Sequence, residues 1–247
     1  MKVVAVTGER KAELIDVPDP QPKEDWVVVK IHAAPMCTEY KLFLSGRRME
    51  GLGHEAAGEV VAVAQPGAAK VGDRVVAMPL YSCGKCALCI SGDYIHCQQA
   101  PDFQAFTGSR HGSATIAQYL LKPPHLLPPI PEGMSYEMAS LACCALGPTF
   151  GAMETMRVGA FDTLLVSGAG PVGLGGVVNA KFRGATVIVT EFHPYRVERA
   201  KMLGADLVLD PRREDVLEEI MDFTHGVGVD AAIECAGLVP AQRLCVD

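Results

Sequence analysis

Cys83, Cys86, Cys89 and Cys97 stand in the spacing C-x2-C-x2-C-x7-C. Gaps of two residues let successive thiolates converge on one ion, and four such ligands close a tetrahedral shell with no position left open. A closed shell describes a structural metal, zinc in the first instance, and not a catalytic one. The stretch around it, residues 81–97, is loop-like and has little apolar content, so the metal would supply its folding energy. Four thiolates also hold iron–sulfur clusters, and spacing alone does not separate the two chemistries. The chain has nine cysteines in all. That is too few for a disulfide scaffold of this length, and an odd number argues against complete pairing, so the cluster reads as metal ligands in a reducing compartment.

Three further residues offer an open site. Cys37 precedes Thr38 and Glu39, His54 sits in Gly53-His54-Glu55, and Cys144 lies far along the chain in Ala142-Cys143-Cys144-Ala145. Two thiolates and one imidazole make three protein ligands and leave a fourth position for substrate or water. Singly each residue is ordinary: a lone cysteine is most often a small buried hydrophobe.

The third signal is glycine spacing. Residues 164–173 read Leu-Leu-Val-Ser-Gly-Ala-Gly-Pro-Val-Gly, an apolar strand that runs straight into Gly168-x-Gly170-x-x-Gly173 and then a helical segment. That strand–helix context raises the motif above noise. Gly168 permits the tight turn, Gly170 lets the backbone approach a pyrophosphate, and Gly173 lets helix and strand pack closely. Pro171 suits the first helical turn, where a missing N–H costs nothing, and Val172 completes the motif. A pyrophosphate would sit on the free N–H groups at the helix start. Glu191 follows the next strand, placed to accept from ribose hydroxyls and repel a 2′-phosphate, which favours NAD over NADP. Arg196 and Arg199, just downstream, soften that preference.

The elements that must carry these residues fall into two grammars. The first part has short β-branched strands over 2–6, 26–31, 58–64, 73–78 and 116–121, broken by the Pro-punctuated loop Asp16–Pro22, and reads as a strand-rich partial barrel. Ser135 is placed to cap a helical run beginning near Tyr136. From Leu164 strands at 164–167, 185–190, 206–209 and 229–234 alternate with helices at 171–183, 194–203 and 213–224, which predicts a parallel sheet covered on both faces. The boundary falls within 140–162, giving domains of 1–150 and 151–247. Hydrophobic residues are 49% and charged residues 21%, as in a globular protein, and the net charge of −7 leaves no basic footprint for nucleic acid or anionic lipid. No apolar run approaches the roughly 18 residues that span a bilayer, and the start lacks a signal-peptide core, so a cytoplasmic location is expected.

Together these features resemble the zinc-dependent medium-chain dehydrogenase/reductase family, in the order catalytic ligand, Gly-His-Glu, four-cysteine lobe, third ligand, nucleotide fingerprint. The resemblance implies an α/β protein: a GroES-like partial barrel with a zinc lobe, then a Rossmann domain. It makes Cys37, His54 and Cys144 the ligands of a catalytic zinc, with Glu55 as the carboxylate that tunes it, and gives the structural zinc to Cys83, Cys86, Cys89 and Cys97. Cys144 is preferred to Cys143 because Cys144–Ala152 looks like the third-ligand segment of the alcohol dehydrogenase branch. The polyol and threonine dehydrogenase branches usually offer a carboxylate there, so the resemblance points away from those substrates. The implied activity is reversible oxidation of a small alcohol to an aldehyde or ketone by hydride transfer to NAD. The implied assembly of the parent enzyme is a homo-oligomer. The chain departs from the family twice. Thr38, the candidate proton-relay residue, follows Cys37 directly, and Glu39 takes the spaced position, from which it would sit near the metal and alter its charge. Four strands are visible where a full dinucleotide fold has six, which reads as C-terminal truncation. Two alternatives therefore stand beside the enzyme: an impaired fragment that only binds zinc or nucleotide, and a metal-independent reductase of the same superfamily. Phe43, Phe103 and Phe106 are candidate pocket walls, with core packing as the commoner role.

Overall fold

A computed structural model describes residues 1–247. The chain divides into two compact units, Met1–Cys143 and Cys144–Asp247. The first unit begins with β1 (Lys2–Gly8), β2 (Lys11–Asp16), β3 (Val27–Ala33), α1 (Glu39–Ser45), β4 (Met49–Glu50), β5 (Ala56–Ala62) and β6 (Arg74–Ala77). It continues through α2 (Ala87–Ile90), α3 (Phe103–Thr107), β7 (Tyr119–Lys122) and α4 (Tyr136–Ser140). The strands form two antiparallel sheets, ordered β2-β1-β4 and β6-β5-β3-β7. β3 is buried over Val27–Val29 and β5 over Ala56–Gly58 and at Val60, and their inward side chains Val27, Val29, Ala56 and Val60 meet Val75, Leu120 and Leu127 in one core.

The second unit holds α5 (Gly147–Met156), β8 (Thr163–Ser167), α6 (Pro171–Phe182), β9 (Thr186–Thr190), α7 (Pro194–Met202), β10 (Leu207–Leu209), α8 (Val216–Phe223), β11 (Ala231–Glu234) and α9 (Val239–Leu244). Its four strands are parallel in the order β10-β9-β8-β11. The order reverses at β8, so the loop that leaves β8 opens at the switch point where such sheets bind ligands. The continuous apolar runs of β8 and β9 are buried on both faces, as a helix-covered parallel sheet requires. No helix is long and apolar enough to cross a membrane.

The expected strands and βα units are present, and further elements add to them, among them β2, α1 and β4. β2, Lys-Ala-Glu-Leu-Ile-Asp, is exposed nearly throughout, so it has no apolar face to announce it, and its pairing with β1 holds it as an edge strand. α1 is short, starts at Thr38 without a side-chain cap and ends on Gly46 at φ 71°. β4 has two residues and exists through β1 alone.

Candidate functional site

The four-cysteine lobe is built on very little regular structure: one turn of helix, α2, and a 3-10 turn at Tyr94–His96. Its Sγ atoms nonetheless converge, with Cys83–Cys89 at 3.9 Å, Cys86–Cys89 at 3.5 Å and Cys86–Cys97 at 4.0 Å. A tetrahedron with zinc–sulfur bonds of about 2.3 Å has edges of about 3.8 Å, so the four sulfurs fit one zinc ion. Backbone N–H groups turn inward onto them: Cys83 N–H donates to Cys97 Sγ and Cys86 N–H to Cys83 Sγ, each at 3.3 Å. The Cys83 thiol is held down to about 6, first by a backbone bond from Lys85, and Cys86 is lowered by the backbone of Cys89. Burial pushes Cys89 up to about 11. Four thiols so close cannot all ionise without a cation among them, which is the chemistry of a metal-loaded lobe.

The second constellation also assembles. One ligand atom from each of Cys37, His54, Glu55 and Cys144 lies within 4.8 Å of the others. Cys37 ends the loop after β3, and His54 and Glu55 lead into β5. Cys144 lies in the π-helical turn Ala142–Leu146 that follows α4. Such turns carry one extra residue per hydrogen-bonded loop and recur where a helix must aim a functional side chain. They also explain how neighbouring cysteines part company: Cys143 Sγ points to the carbonyl of Ala77 at 3.8 Å, and its thiol is pushed up to about 11 by burial and by the Glu55 charge. Cys143 is therefore a partly buried thiol packed against the core.

Glu39, in the spaced position after Cys37, lies beside the site. It is buried at 7% exposure, accepts from the Cys37 N–H at 2.9 Å, and pairs with His54 Nδ1. With Nδ1 tied to a carboxylate, Nε2 is the imidazole atom available as a ligand. Thr38, between Cys37 and Glu39, is exposed. Phe103 and Phe106 pack on Trp26 at ring separations of 6.0 and 4.7 Å, in the core of the first unit.

The nucleotide fingerprint has the shape of a cradle. Gly168 adopts φ 95°, Gly170 starts α6 with no side-chain cap, and Pro171 and Val172 form the first turn. A Cβ at Gly173 would stand 1.8 Å from the Gly168 carbonyl oxygen, whereas a Cβ at Gly170 would meet nothing within 4 Å. The loop thus presses on the helix at Gly173 and leaves room at Gly170, where uncapped N–H groups face outward and suit an anion. Glu191 is buried and braced from three sides: it accepts from Ala169 N–H at 3.1 Å, Phe192 N–H at 2.8 Å and His193 N–H at 2.9 Å. Burial would raise its carboxyl, but these donors and Arg196, at 3.6 Å, outweigh it and hold it below the usual range.

Comparison with known proteins agrees with this architecture. Residues 23–132 match the alcohol dehydrogenase GroES-like domain, and residues 171–247 match the zinc-binding dehydrogenase domain. The sorbitol dehydrogenase of Bacillus subtilis (strain 168) is 36% identical over 248 residues, covering 96% of this chain and 69% of the relative. The L-threonine 3-dehydrogenase of Pyrococcus horikoshii is also 36% identical, over 252 residues, covering 96% and 70%. Among solved structures, the alcohol dehydrogenase TADH from Thermus sp. ATN1 superimposes with a TM-score of 0.86 at 26% identity, covering all of this chain and 73% of that one. The chain belongs to the zinc-dependent medium-chain dehydrogenase/reductase family. Its relatives are dehydrogenases, and zinc is the metal its two ligand clusters suit.

Proposed function

We propose that this chain interconverts a small alcohol and its aldehyde or ketone, with NAD(H) as the hydride partner. The observation that carries the reading is the convergence of Cys37, His54, Glu55 and Cys144 within 4.8 Å, in the same chain as an open glycine cradle. Zinc would supply Lewis acidity toward the substrate oxygen, and the nicotinamide would supply the hydride acceptor. The protein's part is then positional. Cys37, His54 and Cys144 are the ligands, and Glu55 is the buried carboxylate that tunes their charge. Glu39 orients His54, and Thr38, with its exposed hydroxyl, is our candidate for proton exchange with solvent. Gly168, Gly170, Pro171, Val172 and Gly173 receive the pyrophosphate, and Glu191 with Arg196 reads the ribose, favouring NAD. In this assignment residues 1–150 form the catalytic part and residues 151–247 the nucleotide-binding part.

Elemental analysis of the purified chain should give two zinc ions, and an alcohol panel should reduce NAD. Cys37→Ser should abolish turnover while nucleotide binding remains measurable. Turnover that persists after chelation has removed all zinc would overturn the assignment.

A further inference from the structure

Lys122 is the largest side chain that is fully buried in the protein, at 1% exposure. It ends β7 and faces no carboxylate at hydrogen-bond distance. Its Nζ donates instead to the carbonyl of Leu80 at 2.8 Å and lies over the ring of Tyr81, 3.6 Å from the centroid. The neighbouring bond runs the other way across the same two segments: the Tyr81 hydroxyl donates to the carbonyl of Leu121 at 3.0 Å. Three residues beyond Lys122, His125 Nε2 lies 3.2 Å from both the Oγ and the carbonyl oxygen of Ser82. The His125 ring then fills the space where a Cβ on Gly84 would stand, 2.7 Å away. Leu80–Ser82 is therefore stitched by side chains, residue by residue, to Leu121–His125. Cys83, the first thiolate of the four-cysteine lobe, comes next in the chain.

We propose that these two segments form a clasp that presets the Cys83 thiolate, and that Lys122 is its anchoring, positioning residue. The inference rests on the reading of Cys83, Cys86, Cys89 and Cys97 as a zinc site. The lobe has too little regular structure to place its own ligands, so their position must be imposed from the leader that enters it. A buried amine is a costly way to fill a core, because its charged form loses hydration that one carbonyl and one ring face do not restore. An apolar side chain of the same length would pack as well or better. What only Lys122 provides is a donor that reaches the Leu80 carbonyl from inside the barrel.

The test compares wild type with Lys122→Met, which keeps the stem and removes the donor. Cadmium-113 spectra separate an all-sulfur site from a mixed one, and transfer of zinc from the all-sulfur site to a chelator gives its release rate. We expect release about tenfold faster in Lys122→Met, of the order seen when outer contacts of metal ligands are lost, with an unchanged or higher melting temperature. Tyr81→Phe, which cuts the opposite stitch and keeps the ring, should also speed release, and it carries the test if Lys122→Met does not fold. Release at the wild-type rate from a loaded lobe overturns the clasp. Faster release with a lower melting temperature makes Lys122 an ordinary core residue and overturns it too. A wild-type lobe that takes up neither zinc nor cadmium overturns the zinc reading itself, and is distinguishable from both.

Discussion

Glu39 joins two of the proposed ligands, taking the Cys37 N–H on one oxygen and His54 Nδ1 on the other. Glu39→Ala frees the imidazole to rotate and removes the carboxylate that accepts from the part-buried Cys37 N–H, so zinc affinity at the open site should fall 10- to 100-fold. Chelator competition measures this, and an unchanged dissociation constant would contradict the role. Lys122 makes a second residue-scale prediction. Burial lowers its ammonium to about 7, against about 10.4 in an unfolded chain. Above pH 7 the unfolded state then holds a proton that the folded state has released, so stability rises with pH from 7 upward, and at lower pH the full penalty of burying the charge applies. The groups facing it stay neutral in this window: Tyr81 is raised by burial, and Cys143 is raised to about 11 by burial and by Glu55. Urea midpoints should rise between pH 7 and 8.5 in wild type and stay flat in Lys122→Met. The four cysteines were legible because metal chemistry fixes their spacing. Glu39 was legible only as a carboxylate placed near the metal by its spacing from Cys37; its bond to His54, 15 residues away, was not, and nor was Lys122, because a lysine at a strand end looks like a solvated charge until the fold buries it.

At the scale of elements, α6 is the informative one. A run of glycines inside a helix costs about 1 kcal/mol apiece and reads as a weak helix. Here each glycine marks a close approach: Gly173 faces the Gly168 carbonyl, and a Cβ on Gly175 would stand 1.9 Å from the Ala145 carbonyl oxygen. Gly173→Ala should therefore destabilise by about 1–3 kcal/mol and weaken ADP-ribose binding about tenfold or more, because loop and helix must separate. Gly151→Ala is the control, since a Cβ there meets nothing within 4 Å. Calorimetry on both variants decides the matter. The βα alternation was plain in the sequence because a buried parallel sheet imposes long apolar runs. β2 and α1 were hidden because one is an exposed edge strand and the other is a turn-length helix fixed by its neighbours.

Across the whole molecule, the two kinds of core predict different responses to metal loss. The parallel sheet is held by fully buried Leu164, Val166, Val187 and Val189, none of them near a proposed metal ligand in sequence. The four-cysteine lobe has no comparable core, so chelation should make residues 83–97 sensitive to protease while residues 163–234 keep their amide protection. Mass spectrometry of the cleavage products checks this, and uniform digestion would refute it. One structural contact reaches further. α6 begins at the glycine cradle, abuts Ala145 at Gly175, and sends Asn179 Nδ2 to the carbonyl of Leu146 at 2.8 Å, the two residues that follow Cys144 in its turn. A ligand that steadies the helix steadies that turn as well, so the two binding equilibria share a coupling free energy. Thermodynamic reciprocity then requires that nucleotide tighten zinc by the same factor by which zinc tightens nucleotide. Titrating each in the presence and absence of the other yields two ratios; both should exceed one and agree, and Asn179→Ala should bring both toward unity.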